Sequence, residues 1–465
     1  CELSRGLGDV YKRQSLALNP LMTQGQIDAL ESHANEDIKN IFLPKLNSGE
    51  WSGTMNLTEP QAGSDVGALR TMAFKDNDGT YRITGQKIYI SWGDHSLSSN
   101  ICHLLLARLP NSPKGTKGIS LFLVPKYIPD QNGNINEVNS INTISLEHKM
   151  GLHGSPTAVL EYKNAKAWLI GEENKGMMAM FTMMNNARLG VAVQGLSQSE
   201  LATQKAIEFA KTRHQGRNMN NSEEISTPII NHADVRRNLL IMKSLTYISR
   251  ALCFETALTI DLSKNKNDPF LKRKASFLTP IAKSFCTEIG GKVADLAIQI
   301  HGGMGYIEET GISQVYRDVR ITSIYEGTNG IQAMDFVGRK LGSNGDIAYS
   351  ILDEIKMNEQ IINQKKSSVA DYIENARISL TKATDWMISQ NDLNDRYSGA
   401  DPFLRAFALI IGANYMLKTL ITTDQEDKIE LANFYIKNLL PFCNVESSIA
   451  TLGANNLYEN VNSIF

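Results

Sequence analysis

The feature that most constrains the fold is one change of pattern near Gly176, where short strand-like runs give way to long helical ones. Between Trp51 and Trp168, runs rich in β-branched and aromatic residues are separated by turn signals such as Asp78-Gly79 and Asn132-Gly133. After Gly176, long helical periodicities have few internal breakers. Because strands and helices do not alternate, a doubly wound sheet is disfavoured. A β-domain followed by helices is predicted.

We therefore predict an α+β multidomain chain. The strand-like runs favour an antiparallel barrel or sandwich, and the helical patterns at 177–213, 232–262, 271–301 and 331–340 favour a bundle. The opening CELSRGLGDVYKRQ passes abruptly into a more regular sequence near Ser15, so we expect it to be non-native. The expected parts are a non-native start, a remnant of an N-terminal helical domain, a middle β-barrel domain, a C-terminal helical bundle and a further helical extension: 1–14, 15–50, 51–170, 171–340 and 341–465.

Composition excludes several classes of protein. The net charge of -2 over 465 residues gives no general attraction to nucleic acid or membranes. Five cysteines stand far apart without a C-x-x-C pair, so we expect neither a disulfide framework nor a zinc site, and a cytoplasmic location fits. No run of 18 apolar residues is seen, so no transmembrane helix is expected. No metal site is predicted.

Common nucleotide-binding motifs fail on context. The run Gly302-Gly303-Met304-Gly305 follows a helical pattern instead of a strand, which argues against a dinucleotide-binding βαβ unit. No phosphate-binding P-loop pattern is present.

Two segments favour a ligand or a reaction. The loop LTEPQAGSD (57–65) combines hydroxyl groups with a glycine that permits close backbone approach, and it is either a ligand-binding loop or a capped turn. The segment IYEGTNGIQ (324–332) places Glu326 among apolar residues. Apolar surroundings raise the pKa of a carboxylate, which suits a general base. The alternative is an exposed loop glutamate.

Taken together and in order, the motifs of residues 15–465 resemble the acyl-CoA dehydrogenase family. The motifs that carry the resemblance are LTEPQAGSD, QKIYIS, NNARLGVAVQG, AKTRHQGR, QIHGGMGYIEETG and IYEGTNGIQ. The resemblance implies that FAD and an acyl-CoA thioester are held between a β-domain and helices. It also implies Glu326 as the base that removes the α-proton, with its backbone N–H polarising the thioester oxygen, an oxyanion-hole effect.

The resemblance assigns further residues by position. The implied cofactor-binding residues are Leu57, Thr58, Ser64, Tyr89, Ser91, Arg213, Gln215, Gln299, Gly302, Gly303 and Thr328. The implied substrate-binding residues are Ser64, Asn185, Arg188 and Gly327. Tyr89, Ser91 and Asn185 depart from the residues usual in the family. Arg213, Gln215, Gln299, Gly302 and Gly303 would reach the flavin of a neighbouring subunit, which implies a homo-oligomer, at least a dimer.

Longer sequence motifs of this chain resemble one subgroup of the family, whose members are long and have further helices after the position of Lys340. That likeness implies 3-methylmercaptopropionyl-CoA, an intermediate of dimethylsulfoniopropionate degradation, as substrate, and an electron-transfer flavoprotein as electron acceptor. The alternatives are a general short- or medium-chain acyl-CoA dehydrogenase, an acyl-CoA oxidase or a DNA-associated alkylation-response flavoprotein. Most of the family's N-terminal helical domain is absent from this sequence, so we expect the chain to bind FAD poorly or to be weakly active.

Overall fold

The computed structural model describes residues 14–217, 226–364, 368–459, 461 and 464. The expected non-native start, residues 1–14, lies outside this part of the chain except for Gln14. The chain forms two compact units, which divide between Gly190 and Val191.

The described part of the first unit begins with two helices, α1 (Gln14–His33) and α2 (Glu36–Asn47). They separate at Asn35, whose side-chain oxygen accepts a hydrogen bond from the N–H of Ile38 at 3.0 Å and so begins α2. Apolar side chains at helical spacing, such as Ile38, Phe42 and Leu46, are buried on one face of α2. Phe42 meets Trp51 of the first strand edge to face, with ring centroids 5.5 Å apart.

Nine strands follow between Trp51 and Ile170. They are β1 (Trp51–Asn56), β2 (Met72–Lys75), β3 (Tyr81–Ser91), β4 (Asn100–Arg108), β5 (Ile119–Pro125), β6 (Tyr127–Pro129), β7 (Ile135–Val138), β8 (Ile141–Leu146) and β9 (Thr157–Ile170).

The main sheet closes on itself. Its pairings run β4–β2–β3–β9–β5 and return from β5 to β4, so that five strands form a barrel, with β1 beside β4 and β8 beside β9. Most pairs are antiparallel, but β4 pairs in parallel with both β1 and β2. Ile83, Leu105, Phe122 and Leu160 are fully buried in its core. The barrel alternative is the one that the fold adopts.

The second unit is helical within the described residues, and α3 is continuous across the boundary between the units. The helices from α3 onward are α3 (Gly176–Thr212), α4 (Ala233–Lys266), α5 (Pro269–His301), α6 (Ile312–Val319), α7 (Asn329–Asp335), α8 (Asp346–Gln364), α9 (Ala370–Ser389), α10 (Leu393–Ser398), α11 (Ala400–Thr422), α12 (Glu426–Asn438), α13 (Phe442–Ala450) and α14 (Asn455–Tyr458). The predicted order of helices, β-domain and helices is confirmed.

The fourth predicted bundle helix is shorter than its sequence pattern. Helix α7 has seven residues and passes into one π-helical turn, Phe336–Lys340. Phe336 of that turn packs among Phe277, Phe403 and Phe407, all fully buried. Aromatic packing with helix α11 thus continues the apolar face of this segment after its α-helical geometry ends.

Among the described helices, α11 is the one with the length and hydropathy that a membrane span would require. Its most apolar 18-residue window is 72% buried inside the protein. Packing against α5, α7 and the other helices of the unit accounts for the apolar composition of α11.

Candidate active site

Glu326 lies in the turn that precedes helix α7. Its φ of +56° falls in the left-handed region, and Gly327 after it has a φ of +82°. A non-glycine residue in that region costs of order 1–3 kcal/mol, so surrounding contacts must maintain the conformation. Thr328 begins the helix, because its hydroxyl oxygen accepts a hydrogen bond from the N–H of Ile331 at 3.2 Å.

A buried lysine of helix α5 contacts this turn. Lys283 is fully buried, and its Nζ donates to the carbonyl of Gly327 at 2.8 Å and to Oδ1 of Asn329 at 3.0 Å. The Asn329 side chain also accepts from the Thr287 hydroxyl at 3.2 Å and donates to the carbonyl of Ser284 at 3.2 Å. Helix α5 therefore fixes both the main chain and a side chain of the turn.

Two other side chains fix the residues around Glu326. The buried Gln332 donates its Nε2 to the carbonyl of Glu326 at 3.1 Å. On the other side, the Tyr325 hydroxyl donates to Oε1 of Gln194 on helix α3. Burial raises the pKa of Tyr325, and the charge of Glu326 raises it further, so the phenol remains a hydrogen-bond donor at neutral pH.

In the first unit, the loop that follows β1 meets an irregularity in β3. The carbonyl of Thr58 accepts a hydrogen bond from the N–H of Ile88 at 3.0 Å. The pairing of β3 with β9 shifts between Lys87 and Ile90, and Tyr89 within that bulge has a φ of +60°. The bulge leaves the Tyr89 side chain 61% exposed. The structure thus brings Leu57 and Thr58 next to the strand segment that carries Tyr89 and Ser91.

A buried ion pair holds this loop. Lys87 donates to Oε1 of Glu59 at 2.8 Å and to the carbonyl of Leu57 at 2.9 Å, and both charged side chains are buried. Glu59 also accepts hydrogen bonds from the N–H of Arg70 at 2.7 Å and from the Thr71 hydroxyl at 2.6 Å. Burial alone would raise the pKa of Glu59, but Lys87, Thr71 and Arg70 outweigh burial and lower the pKa to about 2.

The polar groups of this region suit the FAD that the sequence implies. Within the described part of the chain, the hydroxyl groups of Thr58, Ser64 and Ser91 form no hydrogen bond with protein atoms. Ser64 is exposed further along the same loop, and a side chain at the neighbouring Gly63 would meet open space. Hydroxyl groups and open backbone can donate hydrogen bonds to flavin and phosphate oxygens. The donor set therefore fits the cofactor.

Asn185 and Arg188 lie one helical turn apart on α3. Asn185 is exposed, whereas Arg188 is 4% exposed and its guanidinium lies 6.0 Å from the ring centroid of Phe181. Packing against Phe181 therefore orients the arginine, and Asn185 is the more accessible of the two implied substrate contacts.

The residues implied for a neighbouring subunit's flavin lie at the ends of two helices of the second unit. Arg213 and Gln215 follow α3, and Gln299 lies in the last turn of α5, before Gly302 and Gly303; all five are exposed. The two helix ends meet where the rings of Phe209 and His301 stack, with centroids 4.4 Å apart. Added side chains at Gly302 and Gly303 would meet no protein atom within 4 Å. The structure thus gathers these residues on one exposed surface.

The sequence analysis did not identify the buried residues that hold the 57–65 loop and the 324–332 segment in place. Lys283 stands in the apolar run FLTPIAKSF, and Lys87 stands in the strand TYRITGQKIYIS. A single lysine within a buried element is a usable signal, because its charge requires hydrogen-bonding partners. Asn329 and Gln332 gave no such signal, since amides are common near turns.

No metal chemistry is indicated by the described side chains. Within residues 14–217, 226–364 and 368–459, histidine, cysteine and carboxylate groups form no cluster of three or more that would hold a metal ion.

Two family models match the chain. The acyl-CoA dehydrogenase middle domain matches residues 54–165, and the acyl-CoA dehydrogenase C-terminal domain matches residues 174–341.

Individual proteins also resemble this chain in sequence or in structure. The 3-methylmercaptopropionyl-CoA dehydrogenase of Ruegeria pomeroyi is 42% identical over 457 residues, which cover 94% of this chain and 78% of that protein. A butyryl-CoA dehydrogenase of Syntrophomonas wolfei is 41% identical over 334 residues, covering 69% of this chain and 54% of its own length. The chain thus spans about half the length of that relative. The solved structure of ACDH-11 from Caenorhabditis elegans in complex with C11-CoA has a TM-score of 0.86 at 22% identity and covers 100% of this chain and 78% of its own; at that identity the likeness shows the fold.

Proposed function

The chain belongs to the acyl-CoA dehydrogenase family, whose members are FAD-dependent oxidoreductases, and on that premise we propose that it desaturates an acyl-CoA thioester with Glu326 as the base. The observation that carries the proposal is the turn at Glu326. A left-handed glutamate is maintained there by a hydrogen bond from Gln332 to the carbonyl of Glu326 and one from Lys283 to the carbonyl of Gly327. Strained conformations that are fixed in this way are concentrated at functional sites.

In the proposed reaction, the Glu326 carboxylate takes the proton from the substrate α-carbon. The Glu326 backbone N–H donates a hydrogen bond to the thioester oxygen and stabilises the negative charge that develops on it. Because the turn is held by buried groups, this donor needs little reorganisation during the reaction. Bound FAD would supply the hydride acceptor for the β-carbon.

FAD binding is proposed for two groups of residues. In the first unit, Leu57, Thr58, Ser64, Tyr89 and Ser91 would contact it through backbone groups, hydroxyls and the exposed tyrosine ring, and in the second unit Thr328 would do so. Arg213, Gln215, Gln299, Gly302 and Gly303 would contact the flavin of another copy, with the Arg213 guanidinium suited to a phosphate. The proposed assembly is therefore a homo-oligomer, at least a dimer.

The proposed substrate is 3-methylmercaptopropionyl-CoA, formed in dimethylsulfoniopropionate degradation. The support is the relative of that name, which matches 94% of the chain and includes the helices after Lys340. A short-chain acyl-CoA is the second candidate, because the butyryl-CoA dehydrogenase is 41% identical over the shared region. Asn185, Arg188 and Gly327 are the proposed substrate contacts, together with Ser64.

An electron-transfer flavoprotein is the proposed electron acceptor, since the family relationship favours dehydrogenases over oxidases. The proposed location is the cytoplasm. The cysteines in the described part of the chain, Cys102, Cys253, Cys286 and Cys443, are free and buried, as in proteins of reducing compartments.

The test is an anaerobic titration of the FAD-loaded full chain with 3-methylmercaptopropionyl-CoA and with butyryl-CoA, followed by flavin absorbance. We expect bleaching by the wild type, with the stronger response to the sulfur-containing substrate. Glu326→Gln keeps the shape of the side chain but removes its basicity, so turnover should fall by roughly 10²-fold or more. Matched flavin content and acyl-CoA binding would serve as the control.

Two outcomes would contradict the proposal. Undiminished turnover by Glu326→Gln would remove the assignment of the base. A flavin that is bound but not bleached by either thioester would remove the dehydrogenase activity. Hydrogen peroxide formed in stoichiometric amounts under air would instead favour an acyl-CoA oxidase.

A further inference from the structure

Lys283 has no part in the reaction as proposed, yet its hydrogen bonds hold the turn that carries Glu326. It lies in the middle of helix α5 beside the buried Ile281, Ala282 and Phe285. Moving an ammonium group into such surroundings costs several kcal/mol unless good hydrogen bonds compensate. Two such bonds end on the catalytic turn, at Gly327 and Asn329.

The carbonyl that Lys283 binds depends on the unusual backbone of Glu326. The Gly327 carbonyl follows two consecutive residues with positive φ, +56° and +82°. A return of Glu326 to a negative φ would rotate the peptide groups that follow and move this carbonyl away from Nζ. The hydrogen bond and the left-handed conformation therefore stabilise each other. A charged donor makes that bond about twice as strong as a neutral one.

Asn329 extends the same support. Its side-chain oxygen accepts from both Lys283 and Thr287, and its amide donates to the carbonyl of Ser284. Three of the five residues from 283 to 287 of helix α5 thus bind the turn or the first residue of the helix that follows it. Helix α5 is long and mostly buried, so it provides a rigid reference for the turn.

We propose that Lys283 is a positioning residue for the base, an inference that rests on the proposed function of Glu326. Through the Gly327 carbonyl and Asn329, Lys283 fixes the backbone of the turn, and with it the direction of the Glu326 carboxylate and N–H. A purely structural lysine would affect the stability of the whole helical unit. A positioning lysine affects the turn and the chemical step beyond any change in overall stability.

The experiment compares Lys283→Met with Lys292→Met, an exposed lysine of the same helix. In the FAD-loaded full chain, we expect Lys283→Met to lower kcat by roughly tenfold to a hundredfold, because a small misplacement of a reacting group is costly. KM should change by less than about threefold, since the lost contact acts on the chemical step. Lys292→Met should match the wild type in both constants.

A second readout needs no cofactor. In the chain without FAD, amide hydrogen exchange of the 324–332 segment should accelerate by about tenfold or more in Lys283→Met, because local opening becomes easier. Exchange in helix α11 should not change. Thr287→Val is the companion variant, because it removes one hydrogen bond to Asn329 without affecting the buried charge. It should act in the same direction, by about threefold, if Lys283→Met does not fold.

The outcomes are distinguishable. If the wild type reduces its flavin with an acyl-CoA but Thr287→Val and any folded Lys283→Met keep wild-type kcat and exchange, the positioning role is wrong while the proposed function stands. If neither thioester reduces the wild-type flavin, the proposed function fails and the positioning role fails with it. A fall in kcat together with faster exchange confined to 324–332 supports the inference.

Discussion

At the scale of single residues, the two segments that the sequence singled out share one physical device. Lys87 donates to the carbonyl of Leu57 at 2.9 Å, and Lys283 donates to the carbonyl of Gly327 at 2.8 Å. Both lysines are fully buried. A buried ammonium that binds a carbonyl oxygen fixes the main chain firmly, because losing the bond would leave an uncompensated charge. Irregular backbone is thereby given a defined position.

Glu59 gives this device a measurable pH dependence. Its pKa is lowered to about 2 from 4.5 by Lys87, Thr71 and Arg70, against the opposing effect of burial. The stabilisation is therefore present from pH 4.5 to neutrality and is lost as the pH falls from 4.5 through about 2. A shift of that size corresponds to about 3 kcal/mol of unfolding free energy. We predict that Glu59→Gln destabilises the first unit at pH 7, and that the deficit shrinks as the pH falls below 4.5.

Urea unfolding of the wild type and Glu59→Gln between neutral and acid pH would measure this difference. Glu50→Gln is the matched control, because Glu50 pairs with Lys45 in a solvent-exposed salt bridge. Its effect should stay within about 1 kcal/mol. A Glu59→Gln deficit that is equally large at pH 3 and pH 7 would show that the ion pair does not account for the stabilisation.

The residues of the site were predictable to different degrees. Glu326 could be singled out because a carboxylate between apolar neighbours and a Gly-Thr turn is unusual. The left-handed φ of Glu326 could not, since nothing in the letters IYEGT distinguishes it from an ordinary turn. Lys283 stands 43 positions before Glu326. Its contact with Gly327 joins residues that are distant in the sequence, and helical periodicity does not predict such contacts.

At the scale of elements, the segment after the base depends on helix α11. Phe336 follows α7 directly and is enclosed by Phe403 and Phe407 of α11 and by Phe277 of α5. The aromatic rings meet at centroid distances of 4.7 to 5.8 Å. The extension after residue 341 is therefore part of the core that surrounds the catalytic segment.

We predict that Phe407→Ala destabilises the helical unit by about 3–5 kcal/mol, because it leaves a cavity among three buried rings. Urea unfolding followed by far-ultraviolet circular dichroism would report it, since this unit holds most of the helices. Phe442→Ala is the control, because Phe442 is 57% exposed and its loss should cost less than about 1 kcal/mol. Equal effects of the two substitutions would show that the aromatic cluster does not unite these elements.

Strands and long helices could be predicted because their hydrophobic periods extend over many residues. The failures are local. The pattern over 331–340 indicated one helix, whereas the backbone changes to π-helical geometry at Phe336, where packing against α11 outweighs local preference. The bulge at Tyr89 was also invisible, because TYRITGQKIYIS alternates as an ordinary strand would.

At the scale of the whole molecule, the exposed surface formed by the ends of α3 and α5 bears on the assembly. Arg213 and Gln215 are exposed, as are Gln299, Gly302 and Gly303. If they bind the flavin of another copy, FAD binding and self-association are thermodynamically linked. FAD retention should then rise with protein concentration over the range in which the chain associates.

We predict that Arg213→Ala weakens FAD binding by about tenfold through loss of a charge-assisted phosphate contact, without changing the unfolding free energy of the second unit by more than about 0.5 kcal/mol. Flavin released on dilution, measured by fluorescence alongside sedimentation velocity, would test both the affinity and the linkage. Arg236→Ala, at an exposed arginine of helix α4, should leave FAD retention unchanged. If the chain is monomeric and its FAD retention does not depend on protein concentration, the two-chain flavin site is contradicted. The exposure of Gly302 and Gly303 would then need another explanation. Because the dilution series measures association and flavin release in one sample, it separates a lost phosphate contact from a lost subunit contact.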